Sequence, residues 1–118
     1  MSLVNSNQLQ LLGKFLDLSA QRQGLISSNI ANIDTPGYRT KDINFKDELQ
    51  RAAGGMAQPF GAAAKEVPGL TERPDGNNVS IDRETMLLAE TQLQFRLGVQ
   101  PMKTEFHRIS MAINEGRS

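Results

Sequence analysis

One stretch constrains this chain more than any other: Asn29-Ile30-Ala31-Asn32-Ile33-Asp34-Thr35-Pro36-Gly37-Tyr38. A long helical hydrophobic period stops there and an extended segment begins. Pro36 fixes its own φ at about −65° and pushes Thr35 out of the helical region. Gly37 supplies the positive φ that the third position of a type II turn requires. Asn29 and Asn32 lie one helical turn apart, and their short amides can satisfy backbone groups left unpaired where a helix ends. Beyond the turn, Tyr38 opens a run with Ile43 and Phe45 on one face.

Upstream of the turn, residues from about Gln8 to Asn32 predict the first helix. Leu11, Phe15, Leu18 and Leu25 recur at heptad-like spacing, with Arg22 interrupting the row. A second row runs Leu12, Leu16, Ser19, Gln23, Ile26, Ile30 and Ile33. Two adjacent apolar rows make a broad adhesive face. Lys14, Asp17 and Arg22 are the helix's only charges, so most of its circumference is expected to be covered. Gly13 and Gly24 each weaken it by up to roughly 1 kcal/mol relative to Ala, so its stability must come from packing.

Downstream, Tyr38 to Asn44 reads as extended, and Asn44 caps a short helix to about Ala53 with Asp47 and Glu48 in its first turn. Residues 54–78 are rich in Gly, Ala and Pro and show neither helical nor strand period, which predicts a loop. Asp75-Gly76-Asn77-Asn78 is a turn signal, and Val79-Ser80-Ile81 is the candidate for a short strand. Asp82 is the expected N-cap of the last long helix, with Glu84 in its first turn. There Met86, Ala89, Leu93 and Leu97 make one stripe, and Met102, Phe106, Ile109 and Ile113 another. The phase slips between them at Gly98-Val99-Gln100-Pro101. Pro101 has no amide proton and clashes with the carbonyl of Leu97, which predicts a kink or break just before it.

Lengths then dictate architecture. A straight helix from 82 to 115 is about 50 Å long, whereas a compact chain of this size has a radius of gyration of only about 13–14 Å. The chain is therefore expected to be mainly α: an elongated antiparallel pair of long N- and C-terminal helices, a central extended and loop region, and a short β element. Its divisions are 1–34, 35–81 and 82–118. The expected packing positions are Leu11, Phe15, Leu18, Leu25, Ile26 and Ile30 on the first helix. On the last helix they are Met86, Leu93, Leu97, Met102, Phe106, Ile109 and Ile113. Two helices cannot bury faces this broad against each other alone, so the remainder is expected to meet other copies or other proteins.

Composition narrows the function classes. Thirteen basic and thirteen acidic residues cancel over 118 positions, and each of the three divisions is itself balanced, which gives no electrostatic footprint for nucleic acid or an anionic membrane. The absence of cysteine removes disulfides, thiol nucleophiles and Cys-ligated zinc. No apolar run approaches the roughly 20 residues of a membrane helix. The first residues have neither the basic head nor the apolar core of a cleaved signal peptide. His107 is the only histidine and reads as a surface residue. Asp42, Asp47 and Glu48 read as a solvated helix start, and no nucleophile–base pair or phosphate loop is present. Neither cofactor, metal nor small-molecule substrate is expected.

Asn29-Ile30-Ala31-Asn32 followed by Thr35-Pro36-Gly37-Tyr38 resembles the N-terminal signature of the bacterial flagellar rod and hook proteins: N-(aliphatic)-A-N, two variable residues, then T-x-G-aromatic. Asp34, the run Arg39-Thr40-Lys41-Asp42-Ile43-Asn44-Phe45, and Asp75 to Asp82 look most like the proximal-rod subtype. The resemblance covers roughly residues 8–53 and 75–115. It implies a structural subunit without enzymatic activity, exported through the flagellar type III apparatus without a cleaved signal and polymerised into the periplasmic rod. It further implies that the terminal helices pair in an inner helical domain and that the segment after the turn bridges neighbouring subunits. The implied partners are other copies, other proximal-rod proteins, and the adapter between rod and membrane ring (FliE type). A soluble helical adaptor or export chaperone, holding a partner helix in its apolar groove, is the alternative that the residues alone leave open.

Overall fold

A computed structural model describes residues 6–55 and 61–116. The elements run α1 (Ser6–Ala31), β1 (Lys41–Asp42), α2 (Phe45–Ala53), β2 (Lys65–Glu66) and α3 (Ile81–Gly116). The molecule is elongated, 69 × 25 × 18 Å with a radius of gyration of 18.4 Å, as two long helices at the chain ends require. Asn29 meets Glu84 at one end of the pair, and Phe15 and Leu16 meet Gly98 further along, so α1 and α3 are antiparallel.

α1 is the spine. It packs against α3 on one side and against β1 and α2 on another. A small apolar core of Leu18, Ile43 and Ala62, flanked by Leu25, Phe45 and Leu49, fills the space between α1, β1 and α2. Phe15 and Phe45 close it edge to face, with ring centroids 5.6 Å apart. Leu18 and Ile26 are fully buried, and the other expected positions of α1, Leu11, Phe15, Leu25 and Ile30, are partly covered.

Several local expectations hold. Thr35-Pro36-Gly37-Tyr38 closes with the Tyr38 N–H donating to the Thr35 carbonyl at 3.2 Å, and Gly37 has φ +76°. Asn44 caps α2, its Oδ1 accepting from the Asp47 N–H at 3.2 Å.

Others are corrected. The strands are Lys41–Asp42 and Lys65–Glu66, paired antiparallel with 41 opposite 66 and 42 opposite 65. Val79-Ser80-Ile81 is not a strand, and β2 lies within the stretch read as featureless loop. Residues 56–60 of that expected loop lie outside the described residues. The cap of α3 is Ser80, whose Oγ accepts from the Arg83 N–H at 3.3 Å, not Asp82, which sits inside the first turn. The helix begins earlier because a hydroxyl at 80 and an apolar Val79 turned inward fit the end of α1. Of the kink or break expected at Pro101, the break does not occur, since α3 continues through it. The proline removes one hydrogen bond, to the Leu97 carbonyl, and both residues are exposed, so water can replace it.

The largest correction concerns which side of α3 faces α1. Its buried positions are Glu84, Leu87, Thr91, Gly98 and Glu105, with Gln94 partly buried between them. That row has heptad spacing but is mostly polar or small. The expected packing residues lie elsewhere: Met86 is 63% exposed, Leu93 57%, Leu97 64%, Phe106 64%, Ile109 41% and Ile113 51%. Met102 alone of that set is partly covered. Gly98 explains the close approach, since a β-carbon there would fall 2.8 Å from Leu16 Cδ2 and 2.9 Å from the Phe15 ring.

Candidate functional site

The exit of α1 is where the chain concentrates its buried polar residues. Asn29, Thr40, Asn77, Asn78 and Glu84 are all inaccessible to solvent, and burial of such groups is costly unless they are hydrogen-bonded. The side chains of Asn29, Asn77, Asn78 and Glu84 bond to other segments, while Thr40 is held by its backbone and its Oγ1 has no partner among the described residues. The site is a joint between α1, β1, the 73–80 loop and α3.

Asn29 bonds to β1, to α3 and to Tyr38 of the turn. Its Oδ1 accepts from the Lys41 N–H at 3.2 Å and its Nδ2 donates to the Lys41 carbonyl at 2.9 Å. The carboxamide thus occupies the place of a third strand on the free edge of β1. The same Nδ2 donates to Glu84 Oε2 at 3.2 Å, and the Tyr38 hydroxyl donates to Oδ1 at 2.9 Å. Asn29 therefore does not finish its own helix, as the sequence had implied; it binds the chain that follows. Asn32 does finish it, its Nδ2 donating to the Ser28 carbonyl at 2.8 Å and its Oδ1 accepting from the Thr35 hydroxyl at 3.0 Å.

Further donors to the carbonyls at the helix end come from far along the sequence. Asn77 Nδ2 donates to the carbonyls of Asn32 at 2.9 Å and Thr35 at 2.8 Å, while its Oδ1 accepts from the Val79 N–H at 2.8 Å. Arg73 donates to the Ile33 carbonyl and to that of Val79 at 3.0 Å. Asn78 Oδ1 accepts from the Thr40 N–H at 2.7 Å. The Gly37 N–H donates to the Asp75 carbonyl at 2.8 Å. The turn Asp75-Gly76-Asn77-Asn78 is thus a docked cap for the Thr35-Pro36-Gly37-Tyr38 turn.

A chain of charges completes the joint. Arg22 binds Asp42 through two bonds, Nε to Oδ1 at 3.1 Å and a terminal nitrogen to Oδ2 at 3.0 Å. Arg83 donates to the same Oδ2 at 3.0 Å and to Glu84 Oε1 at 2.7 Å. Two cations and two anions alternate, so the burial of each is compensated by its neighbours. They tie α1, β1 and the first turn of α3 together.

The signature residues thus fall into two groups. Asn29, Asn32, Thr35, Gly37 and Tyr38 meet in the joint; Ile30 is partly buried on α1, and Phe45 lies against Phe15 in the small core. Ala31, Asp34 and Pro36 are exposed. Arg22, Asp42, Arg73, Asn77, Asn78, Arg83 and Glu84 complete the joint, and sequence reading had missed their roles. The available signal was Arg22, a charge set within an apolar row. Asp42 belongs to this chain of charges and not to a helix start, and Glu48 is buried on α2. His107 is exposed. Among the described residues no group of three or more His, Cys, Asp or Glu side chains could hold a metal ion. Nor is any helix long and apolar enough to cross a membrane.

Polar groups spent on one another and an apolar helix face left outward define a two-helix structural subunit. A family model described as flagella basal body rod protein matches residues 16–39, which contain the end of α1 and the turn. The flagellar basal body rod protein FlgB of Yersinia enterocolitica is 30% identical over 122 positions, covering 86% of this chain and 89% of that one. The FlgB of Salmonella typhimurium is 31% identical, covering 86% and 88%, and that of Buchnera aphidicola is 32% identical, covering 76% and 81%. The chain belongs to the flagellar basal-body rod protein family, within its FlgB group.

Proposed function

We propose that the chain is a structural subunit of the flagellar basal body that polymerises into the proximal rod, part of the drive shaft of the motor. The observation that carries this reading is the outward apolar face of α3. Met86, Leu93 and Leu97 are each more than half exposed although α1 lies against the neighbouring row of the same helix. Exposure on this scale marks a surface made for other chains. Its partners are other copies, other proximal-rod proteins and the FliE-type adapter to the membrane ring, with the flagellar type III apparatus exporting it without a cleaved signal. The rod it builds spans the periplasm. It binds no nucleic acid and no small-molecule substrate, and it catalyses no reaction.

Within this reading the divisions of the chain have separate tasks. α1 and α3 supply the helical core, and the joint folds residues 38–55 back against α1. Replacing both Leu93 and Leu97 by Asp tests the proposal in cells. The variant is expected to be made and exported at parental levels but to be absent from purified basal bodies. Normal incorporation and motility would refute the role of this face.

A further inference from the structure

The buried row of α3 lies between two more apolar ones. Shifting positions 84, 87, 91, 94, 98 and 105 back by one residue gives Arg83, Met86, Glu90, Leu93, Leu97 and Thr104, three of them apolar where the buried row has only Leu87. Shifting forward by one gives Thr85, Leu88, Gln92, Phe95, Val99 and Phe106, four of them apolar. A rotation of α3 by about 100° in either direction would therefore bring an apolar row onto α1. The observed phase instead buries Thr91 and Gln94, whose Oγ1 and Oε1 atoms have no hydrogen-bond partner among the described residues. Hydrophobicity alone would choose either of the other phases, so something else selects this one.

We propose that Glu84, held by Asn29 and Arg83, is a rotational lock that keeps Met86, Leu93, Phe95, Leu97 and Phe106 of α3 turned away from α1. Glu84 is 0% exposed and is bonded to α1 through Asn29. Arg83, next to it, is bonded to Glu84 and through Asp42 to Arg22 of α1. A carboxylate fixed inward at the first turn sets the phase of every residue after it, because the helix is a rigid screw. Gly98 is the second tooth of the same lock. It lies fourteen residues on, two heptads from Glu84, where any β-carbon would strike Phe15 and Leu16. The lock goes beyond the assembly role, since it is a property of the single chain.

Thiol accessibility in the full-length chain tests it, because the native sequence has no cysteine. Two single-cysteine variants, Thr91→Cys and Leu97→Cys, are alkylated with iodoacetamide in the otherwise parental chain and in a Glu84→Leu background. The parental phase predicts that position 97 reacts at least about ten-fold faster than position 91. In the unlocked background the ratio is expected to fall towards one or invert while helical circular dichroism is retained. Asn29→Leu, which removes the partner of Glu84 on α1, should do the same, and Glu84→Gln should keep the parental ratio. A ratio near one in the parental chain overturns the lock. So does an unchanged ratio in folded Glu84→Leu and Asn29→Leu, or loss of helical signal in both.

Discussion

Gly76 faces Gly37 so closely that a β-carbon on Gly76 would lie 3.4 Å from the Gly37 α-carbon. The two turns meet through residues with φ of +87° and +76°, a region that β-branched side chains avoid. Gly37→Val is expected to cost about 1–3 kcal/mol by strain and to misdirect the chain after α1. The exported protein should appear in the medium or periplasm while rods fail to form. Normal motility in a Gly37→Val strain would sink the idea.

Asn77 offers a separable test. Asn77→Ala leaves the Val79 N–H without its acceptor and takes one of two donors from the Asn32 and Thr35 carbonyls, which keep the Thr35 and Tyr38 N–H groups, at a cost of about 1–3 kcal/mol for the group left unpaired where water cannot reach. Urea denaturation of the full chain should show a lower midpoint. Asn77→Asp keeps the acceptor for Val79 but presents oxygen to two carbonyls, and should be at least as damaging.

Asp42 sits between two arginines, with its side chain 11% exposed. Removing it strands Arg22 and leaves Arg83 with Glu84 alone, so Asp42→Ala should destabilise by about 3–5 kcal/mol. Arg22→Ala leaves Asp42 paired with Arg83 and should cost less. Equal effects of the two substitutions on the denaturation midpoint would mean that the charges do not act as a chain.

Gly98 tests the close approach of the long helices. Gly98→Val should lower stability by about 1–3 kcal/mol through overpacking against Phe15 and Leu16. Leu16→Ala, introduced with it, should restore part of the loss. Additive effects in thermal denaturation would show that the two sites do not share a contact.

Much of this architecture is legible in the sequence, and the reasons are local. Pro36 and Gly37 leave few conformations for their turn, and Asn44 followed by Asp47 and Glu48 caps a helix by short-range chemistry. Where the reading failed, the deciding interaction was remote in sequence. The Ile33 carbonyl finds a donor in Arg73, and no periodicity reveals that. Ser80 displaces Asp82 as the cap because the segment before α3 is docked on the end of α1. The apolar stripes of α3 were found correctly as stripes, and the slip near Gly98 marked two rows. Periodicity shows where apolar residues gather, but not which neighbour covers them. Met86, Leu93 and Leu97 read as a seam, and the seam is the polar row beside them.

Gln21 grips the crossing chain much as Asn29 does: its Nε2 donates to the Ala62 carbonyl at 2.6 Å and its Oε1 accepts from the Ala62 N–H at 3.1 Å. The two grips stand eight residues apart on α1, about 12 Å along its axis. A single grip would be a pivot, about which the β1–β2 arm could swing. Two of them resist bending as well as translation, so the arm is a cantilever clamped to the helix. A twist applied to one would be delivered to the other without lost motion.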